Sequence, residues 1–363
     1  MNFQPEPLTI RSGQGDYRVD FPPDFAGLLA QLEGFVNAVV LIDENVATIY
    51  GEALAPLLAR LPHFKIRSDE EAKTMAGVQS LLDFFQQHNA TKQTVLIAIG
   101  GGVIQDIATF AAHIYYRGLR WVYVPTTLLG MCDSCIGAKC GINLNAFKNQ
   151  IGVFHSPHRV LICLPFLETL SDVEIVSGYG EILKLLITGS VEQFEFLRTS
   201  VENGGLRNPH LSRLIYESLK VKKGVIEKDE YELDLRRILN YGHTFGHALE
   251  AITHHGIPHG KAVAWGIDLV NFIAVERGLL KPDEYDLIHG FIRKHFAHRI
   301  AQAVSARDLI DASRRDKKVA DGKVNLILLR RCGDLQIVPT IFDARLEDEV
   351  QRYLAQKDVL SWD

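Results

Sequence analysis

The sequence predicts an α/β amino-terminal domain with a parallel sheet, followed by a mainly α-helical carboxy-terminal domain. Short apolar runs alternate with helical patterns through the first half of the chain, which is typical of a parallel, doubly wound sheet. Strand patterns nearly vanish beyond Ser171. In addition, 363 residues exceed what one hydrophobic core usually supports. We therefore predict two domains, over residues 1–172 and 173–363.

The elements of the first domain are predicted from two kinds of apolar pattern. Short continuous apolar runs predict strands at Val39–Asp43, Val95–Ile99, Trp121–Val124 and Val160–Cys163. Apolar residues at helical spacing predict helices over Glu71–His88 and Val103–Tyr116. The second strand leads directly into Gly100-Gly-Gly102, so a glycine loop joins it to the second helix.

The second domain is predicted to be built almost entirely from helices. The same helical spacing predicts them at Glu192–Glu202, His210–Asp229, His243–Thr253, Gly260–Arg277, Asp283–Phe296 and Ala306–Arg315. Near the end of the chain, Asn325–Leu329 and Leu335–Val338 flank a Cys-Gly-Asp turn and predict a β-hairpin.

Composition narrows the functional class. The formal net charge of −5 and the pI near 6.3 argue against a nucleic-acid partner, but a small anionic substrate needs only a local basic pocket. The amino terminus lacks the pattern of a signal peptide, and no apolar run approaches the ~18–20 residues that span a bilayer. Five cysteines cannot all pair with one another, so we expect free thiols in a reducing cytoplasm.

The glycine loop favours a nucleotide ligand. Glycines at this position let the backbone approach a diphosphate, and the following helix offers N–H donors at its amino terminus. Asp43 ends the preceding strand and is placed to accept a ribose hydroxyl. Each feature alone is also typical of a tight turn or a helix cap. Together they favour a bound nucleotide.

Three histidines form the most informative stretch of the chain. His243 and His247 share one face of a helix, and His259 follows twelve residues later. Three imidazoles this close indicate a metal site, although the Glu of the His-Glu-x-x-His signature is missing. Core or capping roles are the alternative for each histidine. Glu181 adds a further possibility, because two histidines and a carboxylate are the usual ligands of catalytic zinc.

Polar and basic side chains accompany these motifs. Each alone is typical of a solvated surface, but together they could surround a substrate that carries phosphate and carboxylate groups. The set comprises Asp133, Lys139, Lys148, Asn149, Lys184, Lys222, Arg236, Asn240, Lys317 and Lys318. Cys132, Cys135 and Cys140 allow a redox or zinc interpretation, but no second cysteine pair exists and small buried or loop thiols are favoured.

A series of separate motifs carries a resemblance to a known family. They are Gly100-Gly-Gly-Val-Ile-x-Asp106, Arg117-Gly118, Pro125-Thr-Thr-Leu-Leu129, Asp133-Ser-x-Ile-Gly-x-Lys139, Lys148-Asn149, Gly180-Glu181-x-x-Lys184, Leu239-Asn240-x-Gly-His243-Thr-Phe-Gly-His247 and His259-Gly260. Over roughly residues 40–340 the chain resembles the 3-dehydroquinate synthase family, within the wider sugar phosphate cyclases.

The resemblance implies a Rossmann-like NAD domain, a helical metal domain and an active site between them. It implies Zn²⁺, for which Co²⁺ can substitute, on Glu181, His243 and His259, while His247 lies beside the substrate phosphate. The implied NAD contacts are Asp43, Asn45, Glu70, Lys73, Gly101, Gly102, Asp106, Thr126, Thr127 and Lys148. The implied substrate contacts are Asp133, Lys139, Asn149, Lys184, Lys222, Arg236, Asn240, His247 and Lys317 or Lys318. Arg117 is expected to reach a neighbouring subunit, which implies a homodimer.

The activity implied by the resemblance is cyclisation of a sugar phosphate with loss of phosphate. NAD takes a hydride and later returns it, so the cofactor is regenerated in each turnover. Lys222, Arg236 and Lys317 or Lys318 are all basic, which favours the carboxylate-bearing 3-deoxy-arabino-heptulosonate 7-phosphate and hence the shikimate pathway. The alternatives are a cyclase of the 2-epi-5-epi-valiolone or 2-deoxy-scyllo-inosose type, and an NAD- and metal-dependent polyol dehydrogenase.

Some positions depart from the family pattern. Gln105 stands where the family usually has Gly, and Ala138 and Cys140 stand where Gly and Thr are usual. His155-Ser-Pro replaces an aromatic-Gln-Pro, and Lys261 replaces the Glu of His-Gly-Glu. None of these changes removes an implied ligand, so they indicate a divergent branch rather than a loss of activity.

Overall fold

The protein divides into two compact units, Met1–Ser171 and Asp172–Asp363. The computed structural model describes residues 3–145, 147–254, 256–300, 303–314, 323–356 and 360–362. Within these residues, no helix is both long enough and apolar enough to cross a bilayer.

Nine strands belong to the first unit. They are β1 (Leu8–Ile10), β2 (Tyr17–Asp20), β3 (Ala38–Asp43), β4 (His63–Ile66), β5 (Val95–Gly100), β6 (Arg120–Pro125), β7 (Ile142–Leu144), β8 (Phe147–Ile151) and β9 (Arg159–Leu161). Seven of them form one sheet in the order β1-β2-β9-β6-β5-β3-β4. Its neighbouring strands are parallel except for β1 and β2, which are antiparallel.

The five parallel strands from β3 onward follow the flavodoxin-like order, in which the second strand precedes the first at one edge. The strand order therefore reverses between β3 and β5, where Ile42 lies opposite Ile99. Ligands of such sheets bind outside the carboxyl ends of the strands at this reversal. Those ends are Asp43 and Gly100, so the topology brings the two features that predicted a nucleotide to one edge of the sheet.

The helices of the first unit are α1 (Phe25–Leu32), α2 (Glu44–Ile49), α3 (Gly51–Arg60), α4 (Met75–Gln87) and α5 (Gly102–Ile114). The helix predicted from Glu71 begins only at Met75, because the Thr74 hydroxyl accepts a hydrogen bond from the Gly77 amide and caps the helix there. β3 and β5 are buried at every residue, as their unbroken apolar runs predicted.

The second unit is mainly helical, as predicted. Its helices are α6 (Asp172–Gly189), α7 (Val191–Gly204), α8 (Leu211–Ile226), α9 (His243–Ile252), α10 (His259–Glu276), α11 (Pro282–Phe296), α12 (Ala306–Arg314) and α13 (Ala344–Leu354). Its strands are β10 (His298–Ile300), β11 (Lys323–Arg331), β12 (Asp334–Ile341) and β13 (Leu360–Trp362). The predicted late hairpin is confirmed, because β11 and β12 pair antiparallel.

Helix α10 forms the centre of the second unit, where it packs against α6, α9, α11 and α13. It touches α6 through two glycines. A Cβ atom built on Gly180 would lie 2.1 Å from the Gly260 carbonyl oxygen, and one on Gly260 would lie 1.9 Å from the Ser177 oxygen. Any side chain at either position would push the helices apart, so this close approach requires both glycines.

Candidate active site

The close approach of α6 and α10 brings three polar side chains together. Glu181 follows Gly180 on α6, His259 precedes Gly260 on α10, and His243 begins α9. The Glu181 Oε1 atom lies 3.0 Å from Nε2 of His259 and 3.4 Å from Nε2 of His243. One ligand atom from each residue lies within 4.8 Å of the other two.

These separations fit a tetrahedral zinc ion. Zinc with nitrogen and oxygen ligands at about 2.0–2.1 Å holds neighbouring ligand atoms roughly 3.3 Å apart. The observed 3.0 and 3.4 Å bracket that value. Three protein ligands leave a fourth position for water or substrate, which is the usual arrangement of catalytic zinc. The donor set therefore fits the metal that the resemblance implies.

Hydrogen bonds on the far side of each ring turn its Nε2 atom toward Glu181. The Nδ1 atom of His243 lies 3.1 Å from the Tyr241 carbonyl oxygen, which can only accept, so Nδ1 carries the proton. Nδ1 of His259 lies 3.2 Å from both carboxylate oxygens of Glu250. Such outer partners fix the orientation of a metal-binding imidazole.

Burial and hydrogen bonding give the two histidines opposite protonation states at neutral pH. Burial lowers the pKa of His243 to about 4, so its Nε2 atom presents a lone pair to Glu181 at neutral pH. Burial would also lower the pKa of His259, but hydrogen bonds to Glu181 and Glu250 outweigh it and raise that pKa to about 10. His259 must therefore lose its proton when a metal binds, because only a neutral imidazole donates a lone pair to the ion.

Lys184 adds a positive charge one helical turn from Glu181, and its ammonium pairs with the Oε2 atom. Burial would raise the pKa of Glu181, but the charge of Lys184 and a hydrogen bond from His259 hold it well below its usual range. Both side chains are almost fully buried, at 2% for Glu181 and 4% for Lys184. The carboxylate thus keeps its charge and remains available to a metal.

His247 lies beside the three-residue cluster without joining it. Its ring centroid is 5.1 Å from that of His243 and 6.0 Å from that of His259. Its ring nitrogen can also form a second three-residue group with Glu250 and His259. The predicted split between a metal-binding His243 and a neighbouring His247 stays a prediction, and the geometry is compatible with it.

Besides Lys184, two more of the predicted substrate cations in the second unit are buried. Lys222 lies on α8 and Arg236 on the 3-10 helix Leu235–Asn240, with exposures of 8% and 4%. Asn240 ends the same short helix and donates to Glu232 at 2.6 Å. Lys317 and Lys318 lie outside the described residues.

A carboxylate organises the loop that carries Arg236. Asp229 accepts hydrogen bonds of 2.8–2.9 Å from the backbone amides of Leu233, Asp234 and Arg236. Burial would raise the pKa of Asp229, but these amide donors lower it, so the carboxylate stays charged and holds the loop. Sequence reasoning did not single out Asp229, because an acid in a charged stretch is typical of a solvated loop.

At the carboxyl end of β3, Asp43 serves as a helix cap. Its Oδ1 atom accepts from the amides of Asn45 and Val46 at 2.7 and 3.2 Å, which caps α2, and the Ser68 hydroxyl donates to Oδ2. The alternative role noted from the sequence, a cap, is therefore present. A ribose contact from Asp43 or Asn45 stays a prediction.

The glycine loop at the end of β5 is open on one side. A Cβ atom on Gly102 would meet no atom within 4 Å, whereas one on Gly101 would lie 2.9 Å from the Thr127 side chain. Thr126 donates its amide to the Gly100 carbonyl at 3.1 Å. The loop and the Thr126-Thr127 pair therefore lie side by side, and the amino end of α5 has room for a ligand.

An ion-pair network connects several predicted NAD contacts. The Lys73 ammonium lies 3.0 Å from Asp106 and 3.6 Å from Glu70, and Lys148 lies 3.9 Å from Glu70. Burial raises the pKa of Asp106, and the charge of Lys73 opposes that rise. Asn143, which sequence reasoning missed, donates to Glu70 at 2.8 Å and joins the network from β7.

The remaining predicted residues of the first unit lie on turns, a β-bridge and a short hairpin. Asp133 is in the π-helical turn Gly130–Ser134, and Lys139 bridges to Phe154. Lys148 and Asn149, predicted in a loop, lie on β8 of a β7–β8 hairpin. Arg117 is exposed in a turn where Tyr116, Arg117 and Gly118 all have positive φ values, of 47°, 59° and 116°.

Two family models match consecutive parts of the chain. The 3-dehydroquinate synthase N-terminal model matches residues 63–177, and the 3-dehydroquinate synthase C-terminal model matches residues 178–319. Together they cover well over half of the sequence. The chain belongs to the 3-dehydroquinate synthase family.

Similar proteins in this family of sugar phosphate cyclases carry more than one name. The chain is 36% identical over 338 residues to a 3-dehydroquinate synthase of Alkaliphilus metalliredigens, covering 92% of this chain and 95% of the relative. It is 33% identical over 355 residues to a 2-epi-valiolone synthase of Actinosynnema mirum, covering 94% and 92%. A solved 2-epi-5-epi-valiolone synthase of Streptomyces hygroscopicus subsp. jinggangensis 5008, with NAD⁺ and Zn²⁺ bound, is 28% identical, with a TM-score of 0.83 and coverage of 96% and 99%.

His155, one of the departures from the family pattern, holds the turn that contains Arg117. His155 bonds through Nε2 to the Leu119 carbonyl at 3.1 Å, and Lys92 donates to the Tyr116 and Gly118 carbonyls. These bonds hold the turn from both sides. Burial lowers the pKa of His155, so the ring is neutral at neutral pH and donates from Nε2.

The cysteines of this family member are structural thiols. All five are free, and the Cys132 and Cys135 thiols lie 3.8 and 3.6 Å from the backbone carbonyls of Leu129 and Met131. Burial raises the pKa of Cys140 to about 12, so it is not a reactive thiolate at neutral pH. No cysteine joins a potential metal cluster among the described residues.

Proposed function

We propose that this family member catalyses the NAD- and zinc-dependent cyclisation of 3-deoxy-arabino-heptulosonate 7-phosphate to 3-dehydroquinate, with elimination of phosphate. We base this choice of substrate on the buried cationic side chains of Lys222 and Arg236. A guanidinium and an ammonium bind a carboxylate strongly when water is excluded, and this substrate has a carboxylate that sedoheptulose 7-phosphate and glucose 6-phosphate lack.

The chain's own residues would bind and orient the substrate. Lys222 and Arg236 hold the carboxylate, and the ring of His247 donates to the phosphate. Lys184 lies beside the cluster of Glu181, His243 and His259, so its ammonium stabilises negative charge that develops on a substrate oxygen. When bound, NAD supplies a hydride acceptor and zinc supplies a Lewis acid.

The first unit would hold the cofactor. The amino end of α5 offers N–H donors to the diphosphate beside the open Gly102. The pairing of Lys73 with Asp106 fixes the walls of the site near the start of α5. We further propose that the cofactor enters at the strand reversal between β3 and β5, as in other sheets of this order.

A second candidate is a sugar phosphate cyclase that makes a valiolone-type ring. The 33% identity to a 2-epi-valiolone synthase favours it, because it is close to the 36% identity to a 3-dehydroquinate synthase. Such an enzyme acts on a substrate without a carboxylate, so it would not need two buried cations to bind one.

The decisive experiment compares substrates. Purified protein is incubated with catalytic NAD⁺, Zn²⁺ and either 3-deoxy-arabino-heptulosonate 7-phosphate, sedoheptulose 7-phosphate, glucose 6-phosphate or an unphosphorylated polyol, while phosphate and NADH are followed. We expect phosphate release from the heptulosonate alone, without net NADH. Release only from sedoheptulose 7-phosphate supports the second candidate. Stoichiometric NADH from the polyol would contradict both.

Substitution of Lys222 tests the carboxylate assignment. We expect Lys222→Met to raise the KM for the heptulosonate at least tenfold, because a charge-assisted hydrogen bond contributes about 1.5–3 kcal/mol. Lys220→Met is the matched control, since Lys220 lies on the same helix but is 49% exposed. Equal KM values for the two variants would contradict the assignment.

We also propose that the protein is a cytoplasmic homodimer in which Arg117 reaches the neighbouring subunit. The exposure of Arg117 and the hydrogen-bonded turn that presents it support this arrangement. A monomer in sedimentation experiments at micromolar concentration would contradict it.

A further inference from the structure

Gln105 is a buried polar residue at a position where the family usually has glycine. It lies on the first turns of α5, directly before Asp106, and only 5% of its surface is exposed. A buried amide is costly unless its donor and acceptor are both satisfied. Its partners therefore indicate what the larger side chain does in this protein.

Both ends of the Gln105 amide bind one residue. Its Nε2 atom donates to the Ser134 carbonyl at 2.7 Å, and its Oε1 atom accepts from the Ser134 hydroxyl at 2.6 Å. The two hydrogen bonds together fix the position and the rotation of Ser134 relative to α5. A glycine at position 105 could make neither bond.

Ser134 ends a π-helical turn, Gly130–Ser134, which is closed by a bond of 3.1 Å from the Cys135 amide to the Gly130 carbonyl. Carbonyl groups at the end of a helical turn lack partners within the turn. Gln105 supplies that partner for Ser134. Isolated π turns are frequent at functional sites, and this one carries Asp133.

We propose that Gln105 is a positioning residue that locks the Asp133-bearing turn onto the amino-terminal part of α5. The role of Asp133 in binding substrate rests on the proposed function. Gln105 holds Ser134, and each is followed or preceded by a predicted contact residue: Asp106, which pairs with Lys73, and Asp133. We call the two hydrogen bonds between Gln105 and Ser134 the clamp. The clamp sets the distance between the Gly130–Ser134 turn and α5.

The test combines kinetics with hydrogen exchange in the full-length, NAD- and zinc-loaded protein. We expect Gln105→Ala to raise the KM for the sugar phosphate or lower kcat by about tenfold, with the NAD Kd changed less than twofold. Ser134→Ala removes one of the two bonds and should give a smaller effect. The double variant should resemble Gln105→Ala, because the two residues act as a pair.

Thr109→Val is the matched control. Thr109 is buried on the same helix, and its hydroxyl donates to the Gln105 carbonyl rather than to the Asp133 turn. The KM and kcat of the Thr109→Val variant should match those of the unchanged protein. Amide exchange of residues 130–136 should rise in Gln105→Ala but stay unchanged in Thr109→Val.

The outcomes separate this inference from the proposed function. Faster exchange in residues 130–136 supports the clamp even if no sugar phosphate is turned over, a result that would overturn the proposed function alone. Unchanged exchange in Gln105→Ala overturns the clamp. Faster exchange with unchanged KM and kcat, in a protein that turns over a sugar phosphate, overturns the positioning role.

Discussion

At the scale of single residues, the two ring nitrogens of each candidate metal-binding histidine make different contacts. Nε2 faces Glu181, and Nδ1 is held by the Tyr241 carbonyl or by the Glu250 carboxylate. Glu250 lies on α9, one turn after His247. Sequence reasoning did not select Glu250, because an acid on an amphipathic helix is typical of a solvated face. Only its contact with His259 reveals its role.

Removing the charge of Glu250 should weaken the metal site. We expect Glu250→Gln to raise the zinc Kd about 10- to 100-fold, because partners of ligand histidines typically contribute that much to affinity. Competition with a chromophoric chelator measures the Kd without any need for turnover. Glu250→Asp keeps the negative charge and should therefore raise the zinc Kd by less.

Glu276→Gln provides the control for this change. Glu276 lies at the other end of α10 and pairs with Arg352 near the surface. The zinc Kd of the Glu276→Gln variant should equal that of the unchanged protein. Equal zinc affinities for Glu250→Gln and Glu276→Gln would refute an orienting role for Glu250.

At the scale of secondary-structure elements, the site depends on how closely α6 and α10 approach. Gly180 and Gly260 are neighbours in sequence of Glu181 and His259, and they are the points where the two backbones meet.

The secondary-structure elements themselves were largely predictable from the sequence. Long helices and the buried strands β3 and β5 have strong apolar patterns, whereas β1, β2 and β4 have only three or four residues and were missed. Helices α1, α2, α3 and α13 were missed as well, and no bounds were predicted for α6.

A methyl group between these helices should dismantle the cluster. We expect Gly180→Ala to lower the zinc affinity at least tenfold and to destabilise the fold by about 1–3 kcal/mol, the usual cost of overpacking. Chemical unfolding and zinc titration measure the two effects. Gly224→Ala on α8 is the control, because a Cβ atom there meets nothing within 4 Å. Alanine should stabilise that helix by up to about 1 kcal/mol.

Wild-type zinc affinity in Gly180→Ala would show that α6 and α10 tolerate separation. The link between their glycine contact and the metal cluster would then be wrong. Loss of zinc affinity in Gly224→Ala would instead point to a general sensitivity of the second unit.

At the scale of the whole molecule, the predicted chemistry is divided between two compact units. The candidate metal ligands all lie in Asp172–Asp363, and the candidate NAD contacts all lie in Met1–Ser171. A ligand stabilises the fold that binds it by mass action. Metal and cofactor should therefore act on different parts of the protein.

Zinc removal should destabilise the protein without abolishing NAD binding. At a free zinc concentration of 100 times Kd, we expect binding to contribute about 2.7 kcal/mol, measured as a fall in Tm after chelation. His243→Ala should lack this zinc-dependent shift and should lose turnover, while the NAD Kd stays nearly constant. Full activity of His243→Ala in chelator, or a zinc-dependent Tm in that variant, would contradict the metal assignment.

The sequence alone determined the fold class, the family and the residue types that the chemistry requires. These depend on local periodicity and on the order of motifs, both of which are properties of the linear chain. It also placed Asp43 and Gly100–Gly102 at strand ends.

The tertiary structure decided which of those residues meet. Glu181 and His259 are 78 residues apart and converge because two glycines let α6 and α10 touch. Only contacts made in the fold indicate roles for Glu250, Asp229 and Asn143. The same is true of Gln105, whose partner Ser134 is visible only in the structure. Side-chain partners distant in sequence depend on packing, and no local pattern of apolar residues specifies them.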